Sequence, residues 1–250
     1  MGVLNISPES FYPGSFVPIS SVQETAERMV QNGAEILDIG ARSTAPGSPI
    51  ISVSEEISRI KDCLSRLEGE GYIISIDTMY PDVLDAALHF DISLANDISG
   101  LINPELGALI ADAGIPAILM ASREKPGDAQ SWEDTHDAIK DVLSRAHEHD
   151  IEDIILDPGI GKWIPERTAE KDWDLCRHFH ELHQYNLPLL AAVSRKSFIG
   201  ELTGRTPQDR LAGTLAVTST LIEKGASVIR AHDIPETRDV IKTVMHFLRG

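Results

Sequence analysis

The sequence predicts an α/β protein, a single-domain (β/α)₈ TIM barrel over residues 1–250. Three observations carry that expectation. Eight short β-rich runs alternate with eight longer amphipathic segments. Most of the short runs are almost continuously apolar, as strands buried on both faces must be. The length of 250 residues suits one barrel of this class. An open doubly wound sheet is the alternative, because periodicity alone does not establish closure.

In chain order the strands are expected at Gly2–Ile6, Glu35–Ile39, Tyr72–Ile76, Ile92–Asn96, Pro116–Met120, Asp153–Leu156, Leu189–Val193 and Val228–Ala231. Helices are expected near 22–32, 55–69, 81–89, 104–113, 134–149, 166–184, 208–224 and 236–248. Ser21 with Glu24, and Ser52 with Glu55, have the spacing of a capping box, in which the two side chains satisfy free N–H groups of the first turn. Gly33 and Gly225 fall just past their helices, where a left-handed residue closes the last turn. No linker, low-complexity tract or short tandem repeat interrupts the βα pattern.

The formal net charge of −17 argues against a general nucleic-acid-binding surface, which needs clustered Lys and Arg. No apolar run approaches the roughly 20 residues of a membrane helix. The first residues lack the basic start and cleavage site of a signal peptide, so a cytoplasmic protein without membrane contact is expected. Cys63 and Cys176, far apart and without metal-ligand spacing, read as reduced structural thiols.

Seven of the eight strand ends carry polar or ionisable residues. Asn5 closes the first strand, Asp38 the second and Asn96 the fourth. Asp77 and Asp157 follow the third and sixth, Ser194-Arg195-Lys196 follow the seventh, and Arg230 and His232 bracket the end of the eighth. Only the fifth ends apolar, at Met120. A single Asp after a strand is more often a helix cap or turn-former than a catalyst. Asp77 ahead of Pro81 and Asp157-Pro158-Gly159 could be only that, and a lone His such as His232 is usually structural. Seven such ends at once are harder to assign to capping, because a barrel gathers all of them on the face where its active sites are built. In Ser194–Gly200, hydroxyl and cationic groups enter a helix start after strand seven, an anion site by geometry. Asp77, Asn96 and Asp157 supply fixed acceptors and an amide for a planar, donor-rich ring. A phosphorylated or pyrophosphorylated heteroaromatic substrate is the reading these residues give.

At these residues the chain resembles the dihydropteroate synthase family, within the wider pterin-binding barrel group and with a divergent archaeal-type member in view. The resemblance rests on MGVLNISPESF, ILDIGARSTAPG, ISIDT, NDISG, ILDPGIG, SRKSFIG and IRAHD, in that order along nearly the whole chain. It implies a transferase that joins a hydroxymethyl-dihydropterin diphosphate to p-aminobenzoate or a related arylamine and releases pyrophosphate. Residue by residue it implies that Asp77, Asn96, Asp157 and Lys196 hold the pterin, with Met120 and Arg230 against its faces. Asn5 would help bind Mg²⁺ on the diphosphate, and Arg230 with His232 the diphosphate itself. Asp38 would lie close to the reacting carbon, and Phe11, Thr44, Pro46 and Ser197 would form the arylamine site. Asp38, Asp77, Lys196, Arg230 and His232 are thus the expected catalytic group. The resemblance also implies a homodimer, and members of the family usually carry residues ahead of the motif that starts here at Met1.

The sequence departs from the family in its loops. Arg42 stands where the family has Glu, and Ala45 where it has Arg. Glu9 replaces Asp, Tyr12-Pro13-Gly14-Ser15 replace Ser-Asp-Gly-Gly, and Ala121-Ser122-Arg123 replace a His-Met-containing run. Lys162-Trp163 replace Phe-Gly. Pterin recognition is expected to be intact, and arylamine and diphosphate recognition altered, with Arg42, Lys162 and Arg195 available to a phosphorylated amine. Two other functions compete. A pterin-dependent methyltransferase acting on a corrinoid protein would have no use for a diphosphate site, and a pterin-binding protein without turnover would follow from loss of the loop residues.

Overall fold

In the computed structural model, residues 1–9, 13–43 and 48–249 are described. Among the described residues there are eight parallel strands: β1 Gly2–Asn5, β2 Leu37–Gly40, β3 Ile74–Asp77, β4 Leu94–Asp97, β5 Ala117–Met120, β6 Ile154–Asp157, β7 Leu190–Ala191 and β8 Val228–Ile229. The first six form one sheet in sequential order, and β7 pairs with β8. Isolated parallel bridges, Leu156 to Leu189 and Gly2 to Ala231, join the two sheets on both sides. The ring is closed, and the open doubly wound alternative is set aside.

The helices are α1 Val22–Gln31, α2 Val53–Leu64, α3 Pro81–Ala87, α4 Pro104–Ala113, α5 Trp132–Glu148, α6 Ala169–His178, α7 Ser197–Thr203, α8 Leu211–Glu223 and α9 Ile234–Leu248. The sequence placed eight helices; α7 is additional, a short helix in the connection after β7. Ser52 accepts a hydrogen bond from the Glu55 N–H at 3.1 Å, as a cap should. Ser21 makes no such bond, because a 3₁₀ turn at Ile19–Ser21 runs directly into α1 and its carbonyls take the first free N–H groups. Gly33 and Gly225 have φ of 104° and 92°, the left-handed closure expected of them.

Strand alternation decides what faces the barrel axis. Outward residues such as Leu37, Ile39, Ile74, Ile76 and Leu119 join the large helix-facing core. The axial column is different: Leu94, Ile118, Leu190 and Ala192 form a small apolar cluster with Met1, Ile36, Ile155 and Val228 packed against it. Two residues beyond Leu94, Ile155 and Val228 come Asn96, Asp157 and Arg230. The interior thus turns from apolar to polar toward the C-terminal strand ends, and the polar level is where the site forms.

Candidate active site

A cavity of about 430 Å³ opens at that end of the barrel. Asn5, Asp77, Asn96, Asp157, Lys196, Ser197, Arg230 and His232 all line it, together with Ser15, Arg42, Ile98, Lys162, Trp163 and Arg210. Ladder register explains how the first of these meet. Gly40 pairs with both Asn5 and Asp77, and Asp77 pairs with Asn96, so three polar side chains share one level.

Asp38 lies one level lower. The sequence placed it at the end of its strand, but β2 continues to Gly40, and Asp38 pairs with Val3 and Ser75 instead. Its side chain is fully buried and does not line the cavity. Arg230 reaches down to it, donating from Nε to Asp38 at 2.6 Å and from Nη2 to Asp77 at 2.6 Å. The Asn96 amide completes the cluster with 3.3 Å contacts to both Asp38 oxygens.

One guanidinium between two carboxylates leaves a surplus negative charge. Burial, reinforced by Asp38, pushes the Asp77 carboxyl up to about 7 despite Arg230. For Arg230 burial acts to lower the pKa, but Asp38 and Asp77 outweigh it and hold the guanidinium above its ordinary range. Burial also raises Asp157, against the pull of Lys196 and of the Gly159 N–H, which donates to Asp157 at 2.8 Å. Asp157 therefore forms the local turn and lines the cavity as well. Burial brings Lys196 down to about 8. Its ammonium donates to the Ile160 carbonyl and lies 5.2 Å from the centre of the Trp163 ring. His232 is lowered to about 4, by burial first and by Arg230 second, so the ring is neutral at neutral pH.

Other expected residues are placed differently. Met120 is 1% exposed and does not line the cavity, because it sits behind Gly159; Ile98 supplies an apolar wall. Arg195 stands among the cations expected to bind an anion, yet Asp233 holds its guanidinium through contacts of 2.9 and 2.7 Å, and the Pro207 and Gln208 carbonyls take further N–H groups. Arg42 lines the cavity but pairs with buried Glu56 at 2.6 Å. Lys162 is exposed on the cavity rim. Ser197 lines the cavity, whereas Phe11, Thr44, Pro46 and Ala45 lie outside the described residues.

Several contributors escaped the sequence reading. Ser15 accepts from the Asn5 amide at 3.0 Å, because the chain after β1 folds back alongside it. Arg210 reaches the cavity from the turn before α8, with no strand end to flag it. Ile98 could have been found, as the next axial position after Asn96.

Among the described residues, no group of three or more His, Cys, Asp or Glu side chains could hold a metal ion. Asn5 lines the cavity, and its amide oxygen, which accepts from the Ser7 N–H at 3.1 Å, has capacity for a second partner. That donor set fits a hard cation that takes most of its ligands from phosphate and water.

A family model described as a pterin binding enzyme matches residues 1–232. The chain belongs to the pterin-binding enzyme family. Among its relatives, the dihydropteroate synthase of Synechocystis is 38% identical over 97% of this chain and 87% of its own length. The chain is also 33% identical to a probable bifunctional folylpolyglutamate synthase/dihydropteroate synthase of Haloferax volcanii, but spans only 29% of it. Of solved structures, a Coxiella burnetii dihydropteroate synthase in complex with pteroic acid superposes with a TM-score of 0.89, at 29% identity, covering 99% of this chain and 92% of that one. A Xanthomonas albilineans dihydropteroate synthase with 4-aminobenzoic acid gives 0.88 at 31% identity, covering 100% and 92%. Within the pterin-binding enzymes this chain is a transferase of the dihydropteroate synthase type.

Proposed function

We propose that residues 1–250 form one catalytic domain, that its cavity couples (7,8-dihydropterin-6-yl)methyl diphosphate to p-aminobenzoate, and that the side chains gathered there divide the work. The observation that carries the reading is the meeting of Asp77, Asn96, Asp157 and Lys196 in a single cavity with Asn5, Arg230 and His232. In this reading the carboxylates of Asp77 and Asp157 accept from the ring and amino N–H groups of the pterin. The Asn96 amide and Lys196 donate to its acceptors. Arg230 packs against the ring, and with His232 it takes the diphosphate.

The chemistry is charge management. As the C–O bond to diphosphate breaks, negative charge grows on the leaving group and positive charge on the pterin methylene carbon. Arg230 and His232 stabilise the first. Asp77, beside the ring, and Asp38, one level below, stabilise the second through a poorly solvated interior. Mg²⁺ bound with the diphosphate, with Asn5 as a protein ligand, would offset further leaving-group charge. The arylamine, held by Ser197 together with Phe11, Thr44 and Pro46, attacks the carbon from within a prepared encounter.

Both cysteines are buried free thiols, which suits a cytoplasmic enzyme. Among the described residues no helix is long and apolar enough to cross a membrane. The proposal includes a homodimer; Leu202 of α7 and Phe247 of α9, 69% and 77% exposed, are apolar side chains such a contact could cover. The test of function is direct: incubation with the dihydropterin diphosphate, Mg²⁺ and p-aminobenzoate should release pyrophosphate and form dihydropteroate. Lys196→Ala should lose most pterin affinity. Tight pterin binding without product from any arylamine would overturn the transferase assignment for this chain.

A further inference from the structure

Lys196 does not stand alone on the cavity wall. Its ammonium donates to the Ile160 carbonyl. The N–H of the same peptide group, on Gly161, donates to the Asp172 carboxylate at 2.8 Å. One peptide unit therefore carries a cation on its oxygen and an anion on its nitrogen. Such a chain of hydrogen bonds polarises along its length, so the carboxylate strengthens the carbonyl as an acceptor.

The surroundings fix this unit in place. Arg167 donates from Nε to Asp172 at 2.8 Å and from Nη1 to the Ala129 carbonyl at 2.6 Å. Arg167 and Asp172 are 2% and 1% exposed, a buried pair that ties the loop after β5 to the loop after β6. On either side of the unit, the Gly159 and Gly161 carbonyls accept from the Trp163 indole and backbone N–H groups, each at 3.1 Å. Gly161 has φ of 131°, and a Cβ there would come within 3.1 Å of the Lys196 ammonium. The backbone is shaped to let this lysine approach.

We propose that Asp172 is a positioning residue for Lys196, acting through the Ile160–Gly161 peptide group and held in register by Arg167. The proposal rests on the reading that Lys196 holds the pterin. It assigns a functional consequence to a buried pair on α6 and the segment before it, neither member of which stands at a strand end in the sequence. Asp172 keeps the lysine over the cavity and keeps it charged. The charged groups acting on Lys196 are Asp157 after burial, then Asp172, both favouring the ammonium, with Arg230 and Arg167 opposing it.

The test compares pH profiles. Affinity for 6-hydroxymethyl-7,8-dihydropterin should fall as pH rises through the Lys196 pKa. Asp172→Asn keeps the shape and an acceptor oxygen but removes the charge, and should move that alkaline limb down by roughly half a pH unit or more. Arg167→Met removes an opposing charge and should move it up. Lys196→Arg should abolish the limb in this range. A merely structural role would shift both variants the same way, or neither, and either result would overturn the proposal. Circular dichroism establishes that each variant is folded. In the wild-type protein, the Gly161 amide resonance should titrate with the same midpoint as Lys196, and a flat Gly161 response would also overturn it. That measurement needs no ligand. Failure of the wild type to bind the pterin would therefore strike the proposed function and leave the positioning claim to be judged by Gly161.

Discussion

Replacing Arg230 with Met tests the electrostatics of the barrel interior most sharply. The guanidinium contacts Asp38 and Asp77 at 2.6 Å each, and those side chains are 0% and 20% exposed. Removing one partner of a buried pair leaves an uncompensated charge and costs about 3–5 kcal/mol. Here part of that cost is avoidable. With its carboxyl already at about 7, Asp77 can take a proton near neutral pH, leaving Asp38 with the Asn96 amide as its remaining partner. The expected loss is thus about 3 kcal/mol near pH 8 and clearly smaller near pH 5.5, where Asp77 can be protonated. The sign follows from linkage. Without Arg230 the folded-state Asp77 pKa rises further above its unfolded value, so the folded state binds more protons and the variant loses stability as pH rises through it. Urea denaturation followed by far-UV circular dichroism near both pH values gives the difference. At about 2–4 °C per kcal/mol for a chain of this size, the alkaline melting temperature should drop by roughly 6–12 °C. A loss below about 1 kcal/mol, or one equal at both pH values, would refute the account of Arg230 as the shared counter-ion.

Other expectations are simpler to check. His232, lowered to about 4, should show a neutral ring by NMR near pH 6; its depressed pKa adds stability that is fully present above the ordinary histidine value and lost as pH falls through about 4. A ring found protonated near pH 6 in the free protein would contradict the burial argument. Ser52→Ala should cost about 1 kcal/mol, because it deletes the cap bond to Glu55, whereas Ser21→Ala should cost no more than a few tenths. Equal losses from the two would show that spacing, not the observed bond, governs capping here.

Much of the site could be read from the chain because strand periodicity and the convergence of barrel strand ends are local rules. Asn5, Asp77, Asn96, Asp157 and Arg230 are brought together by those rules alone. The failures share a different cause. The depth of Asp38 depends on register, since two further residues of β2 place it below the cavity floor. The engagement of Arg195 depends on Asp233, thirty-eight positions away in sequence. Arg42 likewise reads as a free loop cation until α2 brings Glu56 against it. A sequence shows which groups are charged; it does not show which charges neutralise one another.

The barrel is not uniformly stitched. Six strands form a continuous ladder, whereas β7 and β8 form a separate two-strand leaf hinged on isolated bridges. The acids of the site lie on the continuous part, and its main cations follow the leaf. Arg230 crosses the seam between β8 and β1 to grip Asp38 and Asp77, so the ionic contacts that tune the site add to the few backbone hydrogen bonds that fasten the wall. Amides of the leaf should accordingly exchange with solvent before those of the ladder. Any ligand that draws Arg230 toward a phosphate would then loosen the seam at the moment it fills the cavity.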